Sequence, residues 1–77
     1  MTDQDVETAI RELALERGAS KTFCPSEVAR RLAADWRPLM DHVRRVAASL
    51  PDVRATQRGV EVDPRVAKGP VRLGLHD

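Results

Sequence analysis

The sequence has little with which to build a large or stapled core. Among 77 residues there is one phenylalanine (Phe23), one tryptophan (Trp36) and no tyrosine. Ten of the apolar residues are alanine, so the expected core is thin and aliphatic, resting on Leu and Val. One cysteine, Cys24, permits no intrachain disulfide, and with His42 and His76 far apart in the chain no zinc-ligand spacing arises. No apolar run approaches the roughly 18 residues of a membrane span, so nothing is expected to cross a bilayer. The opening MTDQDVETAI is acidic and lacks the basic start and apolar stretch of a secretory signal. A cytoplasmic, bacterial-type location is the expectation. At this length the chain holds one small domain, expected over 1–77, which excludes a two-domain enzyme.

The sequence is rich in charge, and the charge is unevenly placed. The formal net charge is +1. Residues 1–20 nevertheless carry five acids (Asp3, Asp5, Glu7, Glu12, Glu16) against two bases (Arg11, Arg17), whereas residues 21–77 carry eleven bases against seven acids. A nearly neutral molecule with an acidic first helix turned away can present one basic face. Acids in an opening turn also complement the helix macrodipole, and the two readings are compatible.

Periodicity divides the chain. Val6, Ala9, Ile10, Leu13 and Ala14 form one stripe of an amphipathic helix over about 3–17, which Gly18 stops. After a short connection at Ala19, Ser20 and Lys21, Thr22 and Phe23 make no more than a strand stub. Cys24, Pro25, Ser26 and Glu27 read as a helix entry, with proline suited to the first turn and Glu27 at capping-box spacing from Cys24. Thr22 and Ser26 are alternative caps. Val28, Ala29, Leu32 and Ala33 stripe a second helix to about 34, with Arg30 and Arg31 turned outward. Asp35 is expected to cap a third helix over about 36–50, with Leu39, Val43, Val46, Ala47 and Leu50 inward and Pro51 as its end. The tight join of the last two is that of a helix-turn-helix.

Beyond Pro51 the period changes to two. Val53, Ala55 and Gln57 alternate with Arg54 and Thr56, Arg58 and Gly59 offer a two-residue turn, and Val60, Glu61 and Val62 alternate again. Asp63 and Pro64 break that strand, a basic loop with Arg65 and Lys68 follows, and residues 71–75 read as a last strand. Three helices and a hairpin, with the stub pairing to the hairpin, give an α+β winged helix. Leu13, Val28, Leu32, Leu39, Val43, Val46 and Leu50 are expected to be buried together.

The runs KTFCPSEVAR (Lys21 to Arg30), WRPLM (Trp36 to Met40), TQRG (Thr56 to Gly59), VDP (Val62 to Pro64) and GPVRL (Gly69 to Leu73) resemble a small bacterial domain family of unknown function with a winged-helix-like fold. The resemblance covers about Lys21 to Leu73. It implies the fold and no activity.

Candidate chemistry lies in the arginines. The open side of the third helix carries Arg37, Asp41, Arg44, Arg45 and Ala48, where a recognition helix offers arginines to base edges and phosphates. Arg54 and Arg58 on the wing, with Lys21, Arg30 and Arg31 nearby in sequence, are placed for backbone phosphates. Asp41, four residues from both Arg37 and Arg45, is placed to neutralise them. Trp36 is an interaction anchor or, more simply, a cover for the core edge. Cys24 at a helix start has no base placed beside it and is read as structural. The expected function is a duplex-DNA-binding winged helix, with no enzymatic activity and no cofactor. The alternative is a protein-interaction or oligomerisation module in which Trp36 and the last strand meet a partner or a second copy.

Overall fold

A computed structural model describes residues 1–18 and 20–75 of the chain; Ala19 in the first connection and His76 in the tail lie outside the described residues. Three helices, α1 (Asp3–Arg17), α2 (Pro25–Leu32) and α3 (Met40–Ser49), precede three strands, β1 (Val53–Gln57), β2 (Val60–Val62) and β3 (Arg72–Leu75). The strands form one antiparallel sheet in the order β2-β1-β3. This is an α+β arrangement consistent with a winged helix. No helix among the described residues is long and apolar enough to cross a membrane.

α1 and α2 start where side chains satisfy free N–H groups. In α1, Thr2 Oγ1 accepts the Asp5 N–H while the Asp5 carboxylate accepts the Thr2 N–H, both at 3.1 Å. The helix ends at Gly18, whose φ of 94° suits glycine. For α2 the cap position belongs to Cys24, and the Glu27 carboxylate accepts its N–H at 2.8 Å. Pro25 takes the first helical position, where an absent N–H costs nothing.

The second connection is longer than the sequence suggests. α2 stops at Leu32, with Ala33 extended, and the chain runs through residues 33–36 into a 3₁₀ turn, Arg37–Leu39, before α3 begins at Met40. Trp36 precedes that turn and caps it with no side chain, so Asp35 is not the cap of a helix starting at Trp36. Pro38 is the reason: it disfavours α geometry at the residue before it and suits the tighter first turn. The same shift moves two expected core residues to the rim. Leu13, Val28, Val43, Val46 and Leu50 are buried, whereas Leu32 and Leu39 pack half-buried against the core at the frayed ends of this connection.

The hairpin turns at Arg58 and Gly59, with φ of 52° and 82°. Positive φ at both central residues is the two-residue turn whose twist matches a hairpin. The stub, however, does not pair with the hairpin. Phe23 bridges to Leu73 on β3, and β3 lies between the stub and β1. The return strand has taken the open edge of β1, with Val53, Arg54, Ala55 and Thr56 opposite Leu75, Gly74, Leu73 and Arg72.

Phe23 and Leu73 are both fully buried, and their bridge is where helices and sheet meet. Replacing Phe23 by alanine removes the largest side chain of the core, for a cost of about 3–5 kcal/mol. Domains of this kind hold roughly 5–15 kcal/mol in total. The expected result for Phe23→Ala in urea unfolding is a large fall in midpoint, and a smaller one for Phe23→Leu. An unchanged midpoint would mean that Phe23 does not join the two layers.

Candidate functional site

Because α3 turns Val43, Val46 and Ala47 inward, it presents Asp41 and Arg45 to solvent and leaves Arg44 half-buried at the flank. Arg44 is not free to act as a reader. Its Nη1 donates to the carbonyl of Ala67 at 2.8 Å and more weakly to that of Pro64 at 3.5 Å, and its Nη2 donates to the carbonyl of Gly69 at 2.7 Å. It clamps the 63–70 loop onto α3. Carbonyls carry no net charge, so the guanidinium keeps its positive charge while its donors are engaged.

That loop brings Arg65 to the same place. Asp41, Arg44, Arg45 and Arg65 line one depression of about 300 Å³. Arg65 donates its backbone N–H to Asp63 Oδ1 at 2.9 Å and its Nη2 to Oδ2 at 2.7 Å. These bonds to the charged form, led by the side-chain contact, lower the Asp63 pKa from 3.8 to about 2. Among the described residues Asp41 forms no ion pair with Arg37 or Arg45, so its expected neutralising role is not taken up.

The remaining arginines fall in three places. Arg37 lies over the indole of Trp36 with its Cζ 4.7 Å from the ring centroid, and Arg30 lies over the same ring at 4.6 Å. Trp36 itself is half-buried against the core. Arg58, at the hairpin tip, borders with Lys68 an open groove of about 610 Å³ that also touches Val60, Val62 and Pro70. Arg54 is exposed between buried Val53 and Ala55, which puts it on the outer face of the sheet with Arg72. The structure therefore gathers Arg44 and Arg45 around α3 and pairs Arg37 with Trp36, while Arg54 lines with Ala48, Asp63 and Arg65 a separate depression of about 160 Å³.

Arginines take two of the five acids of α1, Glu7 and Glu16, while Asp5 caps the helix and Asp3 bonds a histidine. Glu16 takes both Nη groups of Arg31 at 2.7 and 2.6 Å, Arg11 bonds Glu7 and forks onto Asp52, Asp3 meets His42 at 2.6 Å, and Arg17 pairs with Glu27. Contact with Arg31 lowers the Glu16 pKa, contact with Arg11 lowers that of Asp52, and the Cys24 N–H followed by Arg17 lowers that of Glu27. Arg31 thus reaches across to α1 while staying exposed. By contrast Arg30, Arg37, Arg44, Arg45, Arg54, Arg58 and Lys68 belong to none of the ion pairs formed among the described residues.

Sequence reasoning missed Arg65 at this site, although an aspartate two residues ahead of it is the spacing of an Asx turn. It offered Arg30 to phosphate but not its place over Trp36, because nothing in a six-residue separation announces a stacked pair. Cys24 is half-buried, and its sulfur accepts from Arg72 Nη1 at 3.0 Å while Arg72 Nη2 donates to the Thr22 carbonyl at 2.8 Å. Among the described residues no group of three or more His, Cys, Asp or Glu side chains is placed to hold a metal ion.

Residues 3–76 match a family described as "Protein of unknown function (DUF3253)". No curated protein matches the chain.

Two outcomes follow from the α3 flank. Arg44→Ala should lower stability by roughly 1–3 kcal/mol, as expected for lost bonds from a charged donor, and should speed amide exchange in the 63–70 loop. Arg44→Lys should recover only part of this, since an ammonium cannot fork across three carbonyls. For Asp63, a carboxyl titration followed by NMR should have its midpoint near 2, and Arg65→Ala should return it toward 3.8. The depressed folded value means that whatever the pair contributes is present above the unfolded pKa and is lost as pH falls through the folded one; the pair's place at the surface keeps that contribution small.

Proposed function

The chain belongs to the DUF3253 family, and for this member we propose a binding module that holds duplex nucleic acid on the open face of α3 and the hairpin tip. It acts by binding rather than by catalysis, needs no cofactor, and works in the cytoplasm, where such a partner is met. The observation that supports this reading is the segregation of charge. Glu7 and Glu16 of α1 are paired with arginines, whereas Arg44 and Arg45 on α3, Arg58 in the β1–β2 turn and Lys68 across the groove from it have no carboxylate partner among the described residues. A surface of that sign attracts phosphate over distances that single contacts do not reach.

Within the surface the residues divide by what their donors already hold. Arg45 and Arg58 are exposed and carry the direct phosphate contacts. Arg44 adds charge to the field and fixes the loop that carries Arg65 and Lys68.

The test is duplex binding by fluorescence anisotropy over a salt series. Wild type should bind at low salt with a log–log slope of about −0.9 for each phosphate contacted. Arg45→Ala should reduce that slope by about one contact. Arg58→Asn should do the same while making the hairpin turn more stable, because Asn-Gly suits two positive φ values better than Arg-Gly. Lost affinity in a variant that melts higher cannot be laid to unfolding. Arg17→Ala, on the far side, should leave the slope alone. If wild type shows no duplex affinity at low salt and instead forms a concentration-dependent dimer, the interaction-module reading replaces this one.

A further inference from the structure

Arg30 comes from the last turn of α2 and Arg37 opens the 3₁₀ turn ahead of α3, and Trp36 holds both guanidinium groups over a single indole. Each cation is attracted to the negative face of the ring. That attraction engages the charge and no N–H donor. Among the described residues neither Arg30 nor Arg37 donates a hydrogen bond or joins an ion pair, and both are exposed. Other arginines are held differently: Arg44 on carbonyls, Arg31 on a carboxylate, Arg72 on Thr22 and Cys24.

The two cations also share one anchor. Each Cζ is within 5 Å of the centroid, so the pair cannot be farther apart than about 9 Å. A phosphate backbone passing the ring meets unused donors on each of them, in planar forks suited to phosphate oxygens. Half-burial of Trp36 against the core fixes the ring, so the donors are arranged before any ligand arrives.

From this we infer that Arg30, Trp36 and Arg37 form a phosphate clamp at the α2–α3 corner, with Arg30 and Arg37 touching the backbone of one nucleic-acid strand and Trp36 acting as a positioning residue that touches no nucleotide. The inference rests on the proposed duplex binding and extends it to a second place on the domain, apart from Arg45 and Arg58. It assigns Trp36 a part in binding that is neither base stacking nor partner anchoring.

Trp36 is the one tryptophan of a chain without tyrosine, so its emission reports on the clamp directly. Titration with a short duplex of mixed sequence should shift that emission in wild type. Arg30→Ala and Arg37→Ala should each lower the salt slope by about one phosphate contact. Trp36→Leu removes no charge, yet it should lower the slope as well, because two released arginines no longer hold their phosphates; Trp36→Phe should fall between. A lost packing contact alone leaves the slope unchanged. Should Trp36→Leu fail to fold by circular dichroism, Trp36→Phe and the two arginine variants carry the test. If wild type binds the duplex and Arg45→Ala weakens it, while the Arg30, Arg37 and Trp36 variants keep the wild-type slope and Trp36 emission stays still, the clamp is wrong and the α3 surface stands. If wild type does not bind duplex at all, both fall together.

Discussion

The short bridge between Phe23 and Leu73 is the constraint on which the rest of the fold depends. Two backbone hydrogen bonds, at 2.9 and 2.7 Å, join the stub to β3, and both side chains point into the core. A domain with one phenylalanine has put it where the helical layer and the sheet have to be joined. The bridge sets the start of α2 one residue later, at the Cys24 cap. It also sets the position of β3, and through the β1–β3 register the direction in which the hairpin leaves the body. Gly74 permits this approach: a Cβ there would come within 3.3 Å of Thr22 Cγ2 and 3.4 Å of the Lys21 carbonyl oxygen. Arg72 closes the outside of the same junction by bonding Thr22 and Cys24.

Arginine is the commonest charged residue of the chain, and its guanidinium does three distinct jobs here according to what it faces. Facing carboxylates, as in Arg11, Arg17 and Arg31, it fastens α1 to the 50–53 turn and to α2. Exposed pairs of this kind add little stability singly. They matter more for where they leave the unmatched charge. Facing carbonyls, as in Arg44, it holds a loop and remains a cation. Facing an indole, as in Arg30 and Arg37, it is held in place with its donors unused. Composition alone cannot separate these cases, which is why a net charge of +1 conceals a basic surface.

What the sequence made legible follows from local rules. The α1 stripe needs only a period of 3.6, and all five of its expected apolar residues are buried. The Arg58-Gly59 turn is legible because two positive φ values in a row demand a residue such as glycine. The departures come from contacts remote in sequence. The apolar stripe of the third helix does not register Pro38, which turns its expected first turn into a 3₁₀ turn. The pairing of the stub with β3 rather than the hairpin is set fifty residues downstream. Arg44 looked like a reader because helix geometry places it near the open face; the carbonyls that take its donors belong to a loop with no periodicity to read. Trp36 lies half-buried at the core edge, one of the two places the sequence offered it, and its contact with two arginines is set by a fold the sequence pattern does not spell out.

The clamp made by Arg44 bears on how the proposed surface works. Without it the 63–70 segment is a loop between strands, with Val66 exposed at 75% and little of its own to pack. With it, and with Gln57 Nε2 donating to the carbonyls of Lys68 at 2.7 Å and Pro70 at 3.2 Å, the loop is tied at one end to α3 and at the other to β1. Arg65 and Lys68 are then presented at fixed positions relative to Arg45, and a polyanion that meets them does not have to order the loop first. Arg44 gives up direct contact to provide this, yet its uncompensated charge still adds to the attracting field. An arginine buried against carbonyls rather than a carboxylate therefore serves both ends, rigidity and charge, where a lysine at the same place would supply the charge and lose most of the rigidity.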